Sequence, residues 1–162
     1  MHENRINTCY FYDLACFNSF FYFSATGPQL TEYHVEAAIA WVHTTAHCAE
    51  DTNWGMIVSL YDKLIAIRPS PVVALNCAIA IAQREGPQRG LEEIRAITNS
   101  DRLGRYPFYH AALGEFELRA GKHDVAREHF RTALALARNP MERQSFEQRI
   151  GAGGRAAPQH VP

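Results

Sequence analysis

A repeated order of small and large residues limits the fold of this sequence more than any other feature. The clearest unit spans residues 106–138, with Gly114 in its first half and Gly121 near its centre. Its second half carries, at spacings of four and three, Ala126, Phe130 and Ala133. Such spacings return to one face of an α-helix, and glycine between two helical stretches favours a turn. The unit therefore predicts two antiparallel helices that approach closely at small residues.

The same unit recurs twice, at a period near 34 residues. In the second helices the equivalent sets are Ile57, Tyr61, Leu64 and Gly90, Ile94, Ile97. In the first helices Trp41, Leu75 and His110 lie 34 and 35 residues apart. A pattern that stays in phase over three units indicates a helical repeat protein, in which each hairpin is completed by its neighbour.

Capping residues predict where the helices begin. Asp51-Thr52-Asn53 and the Ser-Pro and Asn-Pro pairs at positions 70 and 139 are typical of helix N-termini. The predicted helices span residues 31–46, 54–68, 71–84, 88–98, 106–120, 123–137 and 140–150. No stretch alternates with period two over a useful length, so we expect no sheet.

This order of residues resembles that of tetratricopeptide (TPR) repeats. The resemblance implies an all-α, TPR-like right-handed stack of three helix hairpins, and the seventh helix would cap it. We expect three segments: an aromatic leader over residues 1–23, a TPR-like domain over residues 24–150 and a disordered tail over residues 151–162.

The leader stands apart in composition. Residues 10–23 contain eight of the chain's eighteen aromatic residues. This segment is too short to span a bilayer. It is interpreted as an apolar helix covering the first hairpin or as a non-native leader, and Asp13 within it argues against a signal peptide.

Charge and cysteine content exclude several functions. With 16 Lys and Arg against 17 Asp and Glu, the net charge is −1, which leaves no electrostatic footprint for nucleic acid or anionic lipid. The four cysteines are irregularly spaced, and we expect them to be reduced thiols in a cytoplasmic protein.

Four sequence words resemble a more specific family. They are EYHVEAAIA (32–40), EDTNW (50–54), LYDKLIAIRPSPVVALN (60–76) and GPQRGLEEI (86–94). They closely resemble the C-terminal TPR-like extension of a group of ECF-type bacterial sigma factors, and the resemblance covers about residues 24–150. Cys77 departs from the family, which usually has arginine there. Residues 1–23 do not resemble the segment that precedes the extension.

The resemblance implies a role in transcription initiation through protein contacts. The family's two promoter-binding sigma domains do not fit in this length, and we expect either a fragment or a truncated or misread start. The implied partners are the sigma domains, RNA polymerase or a signalling protein. We expect no direct binding of nucleic acid by this chain, no membrane association, no cofactor and no enzymatic activity.

Asn76 is the first candidate binding residue. It lies on the predicted first helix of the middle hairpin, on the face that usually lines the groove of a TPR stack, where an amide can donate to and accept from a ligand backbone. The alternative is that Asn76 ties neighbouring helices together.

The start of the first helix holds further candidates. Tyr33, His34 and Glu36 form either a contact surface for a partner or an ordinary helix N-terminus. Arg68 is a fourth candidate, which could equally neutralise the C-terminal end of its own helix.

Two rival functions stay open. One is a stand-alone TPR scaffold that binds a peptide or forms a homodimer through residues 1–23. The other is a metal enzyme using His43, His47 and Cys48, although no fourth ligand stands at a suitable spacing. We expect no metal, and recurring aromatics such as Trp41, Trp54, Tyr61, Phe116 and Phe130 are predicted to be core residues.

Overall fold

The computed structural model describes residues 31–46 and 51–152, and in these residues the fold is all-α. The helices are α1 (Glu32–Thr45), α2 (Trp54–Ile67), α3 (Pro71–Glu85), α4 (Pro87–Ala96), α5 (Pro107–Arg119), α6 (His123–Leu136) and α7 (Pro140–Ala152), with a 3₁₀ turn at Ser100–Leu103. No strand occurs within these ranges. Each predicted helix is present with its ends within two residues, and none of the described helices has the length and apolarity to cross a membrane.

The predicted leader, residues 1–23, lies outside the described residues, as does the chain from residue 153 onward. The predicted tail begins too early, however, because α7 continues through its first two positions, Gly151 and Ala152.

Local capping explains several of the helix starts. Asn53 accepts a hydrogen bond at Oδ1 from the backbone N–H of Met56, at 3.0 Å. Asn139 likewise accepts from the N–H of Glu142 at 2.9 Å, and the Glu142 carboxylate accepts in return from the N–H of Arg138 at 2.7 Å. These bonds satisfy backbone donors that the first turn of a helix leaves unpaired.

The chain divides into two compact units, one ending at Arg68 and the other beginning at Pro69. In the first unit α1 packs against α2. Their buried faces repeat at helical spacing and consist of Val35, Ala38, Ile39, Val42, Ile57, Val58, Leu60 and Leu64. The rings of His43 and Trp54 meet edge to face at 5.6 Å. Trp41, Trp54 and Tyr61 are partly buried rather than core residues.

The second unit contains two helix hairpins, α3–α4 and α5–α6, and α7, which packs on α6. A buried cluster joins the two hairpins and includes Leu75, Ala78, Ala82, Leu91, Ile94, Leu103, Ala112 and Phe116. Phe116 and Phe130 are both 2% exposed, so these two predicted core aromatics are confirmed.

The turns of both hairpins are made by glycine, as the sequence predicts. Gly86 has φ +98° and Gly121 has φ +80°, which is backbone that side chains with a β-carbon rarely adopt. After α5 the N–H of Gly121 donates to Leu118 O and the N–H of Lys122 donates to Glu117 O. This pair of bonds is a Schellman motif, which ends the helix and reverses the chain.

Small residues set how closely the helices approach. A β-carbon on Gly90 of α4 would lie 2.5 Å from Ala82 Cβ on α3 and 2.8 Å from Phe116 Cε2 on α5. A β-carbon on Gly114 of α5 would lie 3.0 Å from the ring of Phe130 on α6. Packing therefore leaves no room for a β-carbon at Gly90 without a shift of its neighbours, and it makes the contact at Gly114 tight, although glycine weakens a helix.

We predict that Gly90→Ala lowers the melting temperature although alanine is the better helix former. The propensity gain is about 1 kcal/mol, whereas overpacking a core costs about 1–3 kcal/mol, and the β-carbon of Ala82 has no rotamer to move away. A net loss of up to about 2 kcal/mol corresponds to a fall of up to about 8 °C in the melting temperature. Gly151→Ala is the matched control, since nothing lies within 4 Å of its added carbon. Equal stabilisation by both substitutions would contradict this packing.

Candidate protein-binding surface

His34 has a structural role at the start of α1. The backbone N–H of Thr31 donates to His34 Nδ1 at 3.3 Å, and the Thr31 hydroxyl lies 2.7 Å from the same nitrogen. Because a backbone N–H can only donate, Nδ1 is the acceptor and the ring closes a capping box with Thr31.

Two other predicted residues of this group remain on the surface. Tyr33 is 72% exposed, and Glu36, three positions later on the same helix face, is also exposed. Arg68, at the end of α2, forms an ion pair with Glu32 at 3.2 Å. His34 thus caps the start of α1 and Arg68 links the end of α2 to α1, while Tyr33 and Glu36 are accessible to a partner.

Asn76 lies in the other unit, on α3, and it is exposed. Its amide makes no hydrogen bond to any described residue. Asn76 therefore does not link neighbouring helices of the described chain, which was the alternative role. Gln83 lies seven positions further along α3 and shares its face. Gln83 Oε1 accepts a hydrogen bond from Arg119 Nη1 of α5 at 3.4 Å, and Arg119 Nη2 donates to Ala82 O, also at 3.4 Å.

A second contact continues this surface across the next pair of helices. Arg149 Nη1 of α7 donates to Glu115 Oε2 of α5 at 2.7 Å. The two contacts join residues 36 and 34 positions apart, which is one repeat in each case. We call this surface the first-helix face; it consists of Asn76 and Gln83 on α3, Glu115 and Arg119 on α5, and Arg149 on α7.

Helix α5 carries a buried carboxylate that was not predicted from the sequence. Glu117 is 6% exposed, and its Oε2 lies 3.0 Å from Nζ of Lys122. The ammonium is not aligned for a hydrogen bond to this oxygen, which has no other hydrogen-bond partner in the described chain. In the sequence, Glu117 stands seven residues after His110, which places both on one helix face. That position is the signal that could have indicated its burial.

A pair of histidines lies between α5 and α6. The rings of His110 on α5 and His129 on α6 stack with centroids 6.5 Å apart. His110 Nε2 donates to Gly104 O at 2.9 Å, since a carbonyl oxygen only accepts. Burial lowers the pKa of His129, the neighbouring His110 lowers it further, and the Glu117 carboxylate opposes both effects.

The structure does not describe the arrangement of the predicted metal ligands, because two of the three, His47 and Cys48, lie outside the described residues. His43 is exposed and contacts Trp54. Within residues 31–46 and 51–152, no three His, Cys, Asp or Glu side chains come together as a metal site requires.

The chain is similar to a protein of Rhizobium meliloti (strain 1021) that is described as uncharacterized. The two are 40% identical over 110 residues, which are 68% of this chain and 26% of that protein. The chain therefore spans about a quarter of the length of the curated relative it matches. No protein-family profile matches the chain, and no solved structure matches it.

We predict that acid destabilises the protein partly through His129. Its pKa is lowered on folding, so below about pH 6.5 the unfolded chain binds more protons than the folded one. This contribution to the free energy of unfolding is fully present above about pH 6.5 and is lost as the pH falls through the lowered pKa of His129. Urea denaturation between pH 7.5 and 5 measures it.

In that experiment His129→Gln should show a weaker dependence of stability on pH than the wild type, because glutamine does not titrate. His123→Gln is the control, since His123 is exposed at the start of α6. An unchanged pH dependence in His129→Gln would contradict the assignment.

Proposed function

We propose that this chain is a regulatory protein-interaction module, the TPR-like C-terminal region of an ECF-type sigma factor, and that it modulates transcription initiation through protein contacts. Its partners in this proposal are the sigma domains or RNA polymerase. Its role is binding rather than catalysis.

The hairpin packing supports the TPR-like part of the proposal. In the second unit small residues stand at the tight contacts between paired helices, namely Gly90 against Ala82 and Gly114 against Phe130. The turns are made by glycines 35 positions apart, Gly86 and Gly121. Polar contacts one repeat apart also link successive first helices. These features are those expected of a stack of helical hairpins.

The single observation that carries a docking role is the state of Asn76. A polar amide that is exposed on the first-helix face, with no hydrogen bond to a described residue, is available to a ligand backbone. In the first unit Tyr33 and Glu36 are accessible in the same way.

The assignment to sigma factors rests on the four sequence words, which lie largely on α1 to α4. The length of the Rhizobium protein agrees with it, since the aligned segment is 26% of that protein. There the segment is one part of a longer chain, as an appended module is. The net charge of −1 favours contacts with protein over contacts with DNA.

We predict that the purified chain binds in trans to the sigma domains of an ECF-type factor whose own TPR-like extension has been removed, and that it does not bind promoter DNA alone. Asn76→Ala should weaken that binding about 2- to 12-fold, which corresponds to the ~0.5–1.5 kcal/mol of one hydrogen bond. Biolayer interferometry with immobilised sigma domains measures both affinities.

Gln88→Ala is the matched control, because it removes an exposed amide from α4 instead of from a first helix. Equal weakening by both substitutions would rule out the first-helix face. Absence of binding to sigma domains and to polymerase would overturn the sigma-factor assignment. Light scattering that shows a dimer lost on removal of residues 1–23 would then favour the stand-alone scaffold.

A further inference from the structure

The cations of the second unit fall into two groups. Most of those on helix surfaces have carboxylate partners, as in the pairs Arg84–Glu85, Arg127–Asp124 and Arg131–Glu128. Arg119 has no ion pair but donates hydrogen bonds to Gln83 and to Ala82 O. Five exposed arginines have neither an ion pair nor a side-chain hydrogen bond with a described residue: Arg95, Arg102, Arg105, Arg138 and Arg143. The unpaired group is confined to one end of the unit.

The topology brings these five together. In each hairpin one end is closed by a glycine turn, at Gly86 or Gly121. The opposite end, here called the loop end, holds the N-termini of α3, α5 and α7 and the connecting residues 97–106 and 137–139. Leu103 of the first connection belongs to the same buried cluster as Leu75 of α3, and Tyr106 packs against that cluster, which fixes the connection against the helices.

The loop end has little negative charge of its own. Its carboxylates are Asp101 and Glu142, against the five arginines. Glu142 is occupied at the start of α7, where it accepts hydrogen bonds from the N–H of Arg138 and from Asn139 Nδ2. Arg95 and Arg138 lie at helix C-termini, which they help to stabilise, but Arg143 lies near the N-terminus of α7, where a cation is unfavourable. Helix stability therefore does not explain the whole group.

Apolar side chains are exposed at the same end. Val72, Phe108 and Met141 are 38%, 43% and 80% exposed, and each is the second residue of its helix, directly after a proline. They lie 36 and 33 positions apart, so successive repeats present one each. Phe108 is held in place by Phe146 of α7, with ring centroids 6.1 Å apart. An exposed apolar row bordered by charge is typical of an interaction surface.

We propose that the loop end binds a segment of a partner protein in which carboxylates alternate with apolar side chains. The unpaired guanidinium groups would pair with the carboxylates, and the row formed by Val72, Phe108 and Met141 would bury the apolar side chains. A nucleic acid fits less well, because Phe108 is the one member of this row with an aromatic ring on which a base could stack. This inference rests on the proposed function only in taking the chain as a docking module.

The test uses the full chain and a fluorescein-labelled 12-residue peptide of three Glu-Leu-Asp-Phe repeats, followed by fluorescence anisotropy. The comparison probes are polyglutamate of equal charge, a Gln-Leu-Asn-Phe peptide and a single-stranded oligonucleotide. We expect the Glu-Leu-Asp-Phe peptide to bind most tightly, and to bind more weakly at 300 mM than at 50 mM salt.

The double substitution Arg102→Gln with Arg105→Gln should weaken peptide binding about 2- to 30-fold, as the loss of two exposed ion pairs predicts. Arg84→Gln with Arg131→Gln is the matched control, because it removes the same charge from arginines that are already paired. Met141→Ser should weaken binding about tenfold without loss of folding, because Met141 is largely exposed in the free protein.

Several outcomes would overturn the proposal: no binding of the Glu-Leu-Asp-Phe peptide at 1 mM, equal weakening by both arginine pairs, or tighter binding of polyglutamate or of the oligonucleotide. The result is separable from the proposed function. If sigma domains still bind the Arg102→Gln, Arg105→Gln chain at full strength, the loop end is not their binding site, but the proposed function stands. If the peptide binds and sigma domains do not, the proposed function fails, but the loop-end site stands.

Discussion

The close approach of helices at glycine is the constraint on which the rest of the second unit depends. Gly90 lets α4 lie against Ala82 of α3 and lets Phe116 of α5 reach between them. Phe116 in turn belongs to the cluster that joins the two hairpins. A side chain at Gly90 would force α4 away from Ala82 or displace the ring of Phe116. The packing of this unit thus depends on a residue that has no side chain.

The distribution of charge separates structural from available groups. On α4 Arg89 pairs with Glu85, Glu92 and Glu93. The hydrogen bond to Glu92 raises the pKa of Arg89, and the charge of Glu93 raises it further. Such networks are expected on a solvated helix face and contribute little to recognition. The arginines of the loop end have no such partner among the described residues, and apolar side chains accompany them. That combination, rather than net charge, distinguishes this end from the other surfaces of the unit.

The candidate residues divide into those whose polar atoms are bonded to neighbouring residues and those that are exposed. The ring of His34 is engaged in the capping box of α1, and the guanidinium of Arg68 is engaged in the ion pair with Glu32. Tyr33, Glu36 and Asn76 are exposed. The sequence alone did not separate these two groups. Residue type and helix position indicate which bonds a side chain can form, but they do not indicate which partner lies within bonding distance. Glu117 was missed for the same reason, since only packing shows that a carboxylate on a charged helix is buried.

The sequence by itself determined the all-α class, the helix limits within two residues, the caps at Asn53 and Asn139 and the glycine turns. These depend on contacts within a turn of helix or on the conformations a residue can adopt, and both are encoded locally. Only the tertiary structure decided that Asn76 is exposed, that Arg119 reaches Gln83 and that Val72, Phe108 and Met141 lie at one end beside unpaired arginines. Those facts depend on which helix faces pack against one another. Such packing is determined by residues that lie far apart in the chain.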